Sequence, residues 1–241
     1  MGYECLSREV LLKASKQFNI PEIKLAQALN SAPSIFDRIT FGKEKYVAYI
    51  RAALLNQAKK DNLVYHGLAG HFLLQGIPHV LKVNIIADLE DRVSEQMRRE
   101  NLSADEARKK LRKEDEELRK WSQRLYGVNT WDPILYNLVI HIGPITVDDA
   151  AEVISSVVKL PCFQITPQSQ QILDDLLLTA RVQAALMEEF PGATVTTKEG
   201  KVQVVVWGSG ADEAETIDRI NHLAREATGV EVEVRYQVRI V

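Results

Sequence analysis

The stretch LVYHGLAGHFLLQGIPHVLKVNIIADLED, Leu63 to Asp91, decides the fold. It reads as an apolar strand, a glycine-bracketed turn, a short helix, a second strand over Leu81–Ala87, and a helix that starts at the acidic Asp88. Short apolar strands joined through a helix are parallel strands with helices on their faces. The fold class is therefore α/β, a parallel sheet with flanking helices. Such sheets bind ligands at the carboxyl ends of their strands.

Upstream, Ser7 is placed to cap a helix carrying Val10, Leu11, Leu12 and Phe18, which stops near Asn19-Ile20-Pro21. A second helical pattern covers Glu22 to Leu29, and Pro33 and Gly42 break Ser31–Gly42 into a loop. Lys43 to Lys60 has the pattern of an amphipathic helix, with Tyr46, Val47, Ile50, Leu54 and Leu55 on one side.

Downstream, Asp88 to Arg124 is dense in both charges. Asp88 is expected to cap the first helix there, and Ser103 with Glu106 forms a capping box for the second. Composition predicts a solvated helical hairpin laced with ion pairs, although its arginines also suit a lid that closes over phosphates. Trp121, Tyr126 and Trp131 are expected to anchor its end to the sheet. Leu138–Ile142 is a further strand, and a helix runs from Thr146 through Val158.

Pro161 and Pro167 mark a linker, so the chain divides into residues 1–159, a connection over 160–168, and a module over 169–241. That last part reads as a helix over Gln170–Phe190 and a hairpin around Lys198-Glu199-Gly200. A helix over Ala211–Thr228 ended by Gly229 and a strand over Val230–Val241 follow. The order is α-β-β-α-β.

The 241 residues carry a net charge of -3, which gives no broad pull toward nucleic acid. No apolar run approaches the roughly 20 residues that span a bilayer, and the N-terminus has no basic segment followed by an apolar one. The two cysteines, Cys5 and Cys162, make no disulfide framework. The expected location is the cytoplasm.

A phosphate-cradling loop needs glycine-freed backbone amides followed by Lys and a hydroxyl residue at a helix start. The only Gly-Lys pairs are Gly42-Lys43 and Gly200-Lys201. Five residues before those glycines stand Asp37 and Val195, and Glu44 and Val202 follow the lysines, so neither pair fits. The turn His66-Gly67-Leu68-Ala69-Gly70-His71 has two readings: its glycines admit a phosphate or base, or they serve tight strand-to-helix packing. His66, His71 and His79 cluster nearby, but their spacing matches no common zinc pattern. No metal site and no catalytic residue is assigned.

These stretches, in their order, resemble the cytidylate kinase-like family, a branch of the P-loop nucleoside monophosphate kinases. The resemblance spans Gly2 to about Val158. Gly2-Tyr3-Glu4 through Leu11 looks like the family's second strand and the start of its monophosphate-binding region. Gly67–Leu74 with Ile77–Leu81 looks like the exit of the third strand and the approach to the fourth. Ala87–Arg92 looks like the helix start before the lid, and Tyr126-Gly127-Val128 with Trp131–Ile140 like the run into the last strand.

The resemblance implies transfer of phosphate from ATP with magnesium to a nucleoside monophosphate such as CMP. It implies nucleotide contacts at Arg8, Gly67, Gly70, His71, Arg112, Asp115 and Arg119. Family members begin with a strand, a glycine-rich loop and a helix ahead of the Gly-Tyr pair found here at positions 2 and 3. ATP and magnesium are therefore expected only where such an upstream loop is present, and the chain alone is expected to be inactive. The sheet is expected to lack its central strand, between Leu63–Tyr65 and Leu81–Ala87.

Two further departures are Leu68, where many members carry Arg, and Leu118, where the lid usually has Arg three residues after Asp. Arg119 stands one place late, about 100° round the helix. From about Leu178 the chain resembles a BON domain, on Thr179-Ala180-Arg181-Val182 to Leu186, the Gly200–Gly208 strand and Gly229-Val230. That implies a protein or lipid partner for this module. The alternative function is a non-catalytic nucleotide sensor or scaffold acting through that module.

Overall fold

A computed structural model describes residues 2–30, 42–67, 69–209 and 212–238. The loop expected from Ser31, Leu68 of the glycine turn, Ala211 and the last three residues of the final strand lie outside them. The chain is α/β with small parallel sheets, and it forms two compact units. One is Pro78–Ile165 with Leu29 and Asn30; the other gathers the described residues of Gly2–Ala28, Ser34–Ile77 and Thr166–Val241. No helix among the described residues is long and apolar enough to cross a membrane.

In the larger unit, strand β1 (Glu4–Leu6) pairs in parallel with β2 (Leu63–Tyr65), Glu4 opposite Leu63 and Leu6 opposite Tyr65. Helix α1 (Glu9–Phe18) follows β1. Its first-turn boundary is Arg8, in helical geometry without a side-chain cap, and not the expected Ser7. Ser7 instead donates its backbone N–H to the Glu9 carboxylate at 2.8 Å, so a donor just ahead of the helix is satisfied by a side chain from its first turn. The chain continues through α2 (Glu22–Asn30) to α3 (Gly42–Ala58), and after β2 comes the single turn α4 (Gly70–Leu73).

Helix α3 is not one-sided. Alongside Val47, Ile50, Leu54 and Leu55, it buries Tyr49, Ala52, Ala53 and Gln57. The cause is a second packing partner. Helix α1 covers one side of α3, and a helix from far along the chain, α8 (Pro167–Leu186), covers another. Ala52 and Ala53 are small enough to let helices approach closely, and a helix buried all round shows no amphipathic stripe.

In the smaller unit, β3 (Val83–Ala87) pairs in parallel with β4 (Leu138–Ile142), Val83 opposite Leu138 and Ala87 opposite Ile142. The Asn137 side chain extends the ladder by accepting from the Lys82 N–H at 2.9 Å. Adjacent Ile85 and Ile86 point to opposite faces and are 56% and 43% exposed, so the described residues leave both faces of β3 open. Parallel strands are ordinarily covered on both faces.

Helices α5 (Leu89–Glu100) and α6 (Ala104–Tyr126) then form a hairpin that turns at Asn101, in left-handed geometry with φ 55°. Val93, Ala107 and Leu111 form its small core, flanked by Leu89, Met97 and Leu102. The expected capping box at Ser103 and Glu106 is present in both directions. At the far end Trp121 is fully buried and packs on Tyr126, while Trp131 is half exposed. Helix α7 (Val147–Val157) starts at a Thr146–Asp149 capping box.

The last segment returns to the larger unit. After α8 come β5 (Thr194–Lys198), β6 (Lys201–Gly208), α9 (Glu213–Thr228) and β7 (Val232–Val238). Strands β5 and β6 form an antiparallel hairpin, and β7 lies parallel to β6. The two loop residues, Glu199 and Gly200, both have positive φ, 52° and 77°, the geometry that matches strand twist in a two-residue turn. The Asp175 carboxylate of α8 accepts from both of their backbone N–H groups, at 2.7 and 2.8 Å. On one face of this sheet Val195, Val202, Val204, Val206 and Val232 pack on Val182, Leu186, Ile220 and Ala224.

Candidate functional site

Each unit presents the carboxyl ends of a parallel strand pair, the place where open α/β sheets bind ligands. In the larger unit that edge holds Ser7, Arg8 and Glu9 after β1, and His66 and Gly67 after β2. The His66 N–H donates to the Leu6 carbonyl at 3.0 Å, which carries the pairing one residue past the strands. The Glu9 carboxyl is held below the usual carboxylate range by its own backbone N–H and that of Ser7, with His66 and Lys13 adding weaker attraction. Arg8 reaches across to Glu22, Nε to Oε1 at 2.8 Å.

The glycines of the turn face an aromatic ring. A Cβ built on Gly70 would lie 2.7 Å from Cδ1 of Tyr65, and one on Gly67 would lie 3.0 Å from its hydroxyl. Gly67 and Gly70 thus leave room for the Tyr65 ring, and burial pushes that phenol up to about 12. His71, the second residue of the one-turn helix, has its ring centroid 4.0 Å from that of Phe72.

In the smaller unit the carboxyl edge is polar and charged. Asp88 occupies the N-cap position of α5 but makes no side-chain cap, contrary to the expected role. Its carboxylate lies instead 3.4 Å from Nε2 of His141, near the end of the neighbouring strand. One turn into α5, Arg92 forms a two-pronged contact with Asp115 of α6, Nη1 to Oδ2 at 2.8 Å and Nη2 to Oδ1 at 2.7 Å. The Asp115 hydrogen bond raises the Arg92 guanidinium further above its ordinary value.

The hairpin's other candidates have different surroundings. Arg119 grips Glu116 through Nε and Nη2, both at 2.9 Å. Arg112 is exposed and makes no hydrogen bond or ion pair among the described residues. The expected site residues therefore fall into two groups. Arg8, Gly67, Gly70 and His71 gather at the edge of the larger unit, and Arg112, Asp115 and Arg119 lie along α6 in the smaller one.

Sequence reasoning passed over Arg92 and the pairing of Asp88 with His141. Folding α5 back on α6 at Asn101 is what brings Arg92 to Asp115, and Asp88 and His141 each stand at the end of an apolar strand. Among the described residues no group of three or more His, Cys, Asp or Glu side chains converges as a metal site.

The pattern of the cytidylate kinase-like family matches residues 1–144 of the chain. No curated protein matches it. Among solved structures, the crystal structure of an uncharacterized protein from Eubacterium ventriosum ATCC 27560 is similar at 17% identity and a TM-score of 0.45, covering 64% of this chain and 82% of that one.

Proposed function

Because the chain belongs to the cytidylate kinase-like family, we propose that it binds a nucleoside monophosphate such as CMP at the carboxyl edges of its parallel strands. The observation that carries this reading is the meeting of Asp88 and His141 at the ends of β3 and β4, one helical turn from the Arg92–Asp115 fork. A carboxylate and an imidazole there can accept from and donate to a base or ribose, and an arginine one turn away can receive phosphate oxygens. Arg112 and Arg119 on the hairpin are the further contacts proposed in this unit; Arg8, Gly67, Gly70 and His71 are proposed as nucleotide contacts of the other unit, taken by itself.

Joined to a strand and glycine-rich loop, the same scaffold would transfer a phosphoryl group from ATP to the bound acceptor. Magnesium would enter with the ATP phosphates, since the described side chains hold no metal cluster of their own. Positioning and charge neutralisation would supply the acceleration, with no covalent intermediate. The open apolar faces of β3 favour further elements packed over them. The 241-residue chain itself is proposed to hold nucleotide without turning it over.

A second reading, a permanently silent nucleotide sensor whose C-terminal strands engage a partner, is favoured by one observation. The Tyr65 ring occupies the space beside both glycines of the turn. The test is calorimetric titration of the 241-residue chain with CMP, beside a coupled ATP–CMP assay on this chain and on one extended upstream by a glycine-loop segment. Saturable CMP binding without turnover, and turnover on extension, are expected. Robust turnover by the 241-residue chain would overturn the proposal, as would an absence of nucleotide binding. Binding without turnover in the extended chain would favour the sensor.

A further inference from the structure

Four helices of the larger unit surround a cleft of about 660 Å³ lined by Gln17, Phe18, Asn56, Arg181, Leu223 and Glu226, none of them a residue proposed to contact nucleotide. Its size lies within the roughly 300–1,000 Å³ typical of small-molecule sites. Two of its walls, α8 and α9, lie beyond the residues that match the family, so the segment shared with the family does not build this cleft alone.

Arg181 is its distinctive group. The side chain is partly buried, and Nη2 donates to Oδ1 of Asn56 at 2.5 Å. Arg181 makes no ion pair with any described residue. A guanidinium has five N–H donors and cannot shed its charge, so the Asn56 amide leaves several of them open to an arriving partner. A charge-assisted contact from a partly buried guanidinium holds an anion more firmly than one from a fully solvated side chain. Phe18 and Leu223 supply an apolar wall, and Phe18 is held flat by stacking on Tyr49, with ring centroids 4.4 Å apart and an angle of 16°. Glu226 at the rim repels a second negative charge.

We propose that this cleft binds a small organic monoanion with a flat apolar body, its charged group on Arg181 and its body against Phe18 and Leu223. The site shares no residue with the proposed nucleotide contacts and does not depend on the nucleotide reading.

The test is an NMR titration of the full chain with benzoate and, separately, with its neutral analogue benzyl alcohol. Benzoate is expected to shift the amide signals of Phe18, Asn56, Arg181 and Leu223 saturably, and benzyl alcohol to bind roughly tenfold or more weakly. Arg181→Gln should remove the difference between the two probes, Arg181→Lys should retain part of it, and Glu226→Gln should tighten benzoate. The proposal is overturned if the wild-type chain shows no saturable shift at these residues or binds both probes equally. It is also overturned if a folded Arg181→Gln variant binds benzoate unchanged.

Discussion

Arg92 and Asp115 face each other across the α5–α6 hairpin with each terminal guanidinium nitrogen on one carboxylate oxygen, at 2.8 and 2.7 Å. The two residues are 23 apart in sequence, and only the reversal at Asn101 brings them together. The pair is about one-third exposed on each side, so solvent screens it, but its planar two-bond geometry keeps it above the usual surface pair. A double-mutant cycle of Arg92→Ala and Asp115→Ala, read by urea unfolding, is expected to give a coupling of about 1 kcal/mol. Additive single effects would contradict the fork.

Gly70→Ala places a methyl group against the Tyr65 ring at a separation no real Cβ keeps. The ring must move, and overpacking of this kind costs about 1–3 kcal/mol. In a Tyr65→Val background the same change should cost much less, because the obstructing ring is gone. Thermal melts of the four combinations read this directly. Equal cost in both backgrounds would place the strain elsewhere.

Alkaline pH tests the same tyrosine. Burial raises the Tyr65 phenol to about 12, and burial followed by the Glu188 charge raises Tyr49 also. An unfolded tyrosine loses its proton near pH ~10. The protonated phenols therefore contribute stability that is complete below about pH 10 and is lost as pH rises through the folded values. Urea midpoints should fall above about pH 10, and Tyr65→Phe and Tyr49→Phe should each flatten that fall. An unchanged slope in both variants would refute the burial argument.

Asp175 holds the tip of the β5–β6 hairpin by accepting two backbone N–H bonds, from Glu199 and Gly200. Bonds to a charged acceptor are the stronger kind, so Asp175→Ala should cost about 1.5–3 kcal/mol. Hydrogen exchange at the Glu199 and Gly200 amides is expected to accelerate at the same time. Protection that survives the substitution would show that the turn holds itself.

Local chemistry was legible in the chain; distant contacts were not. The Ser103–Glu106 box, the αL stop at Gly229 and the Glu199-Gly200 turn depend on residues a few places apart, and each is found where its pattern stands. Asp88 carries the pattern of a cap yet turns to His141, because a partner 53 residues away competes for the same carboxylate. Helix α3 read as one-sided because nothing near it in sequence announces that α8 will cover another face. The glycine turn left two readings open, and what settles its surroundings is the size of the single side chain before it, Tyr65. Of the candidate contacts, Arg112 is solvent-facing; Arg119 is engaged by Glu116 at the i,i+3 spacing that predicts such pairs, while the engagement of Asp115 by Arg92 across the hairpin is one no spacing rule foretells.

The cover that α8 gives to α3 bears on how the protein can be cut and expressed. Lys59 pairs with Asp174 and Asn56 with Arg181 on α8, and Lys45 and Tyr49 both pair with Glu188 just past its end, so polar links join the family-matched segment to α8 and the residues after it. A fragment ending at residue 144, where the family pattern ends, would leave that side of α3 bare to water. Such a piece is expected to aggregate on expression. The final third of the chain acts as the scaffold on which the first third acquires a fixed shape.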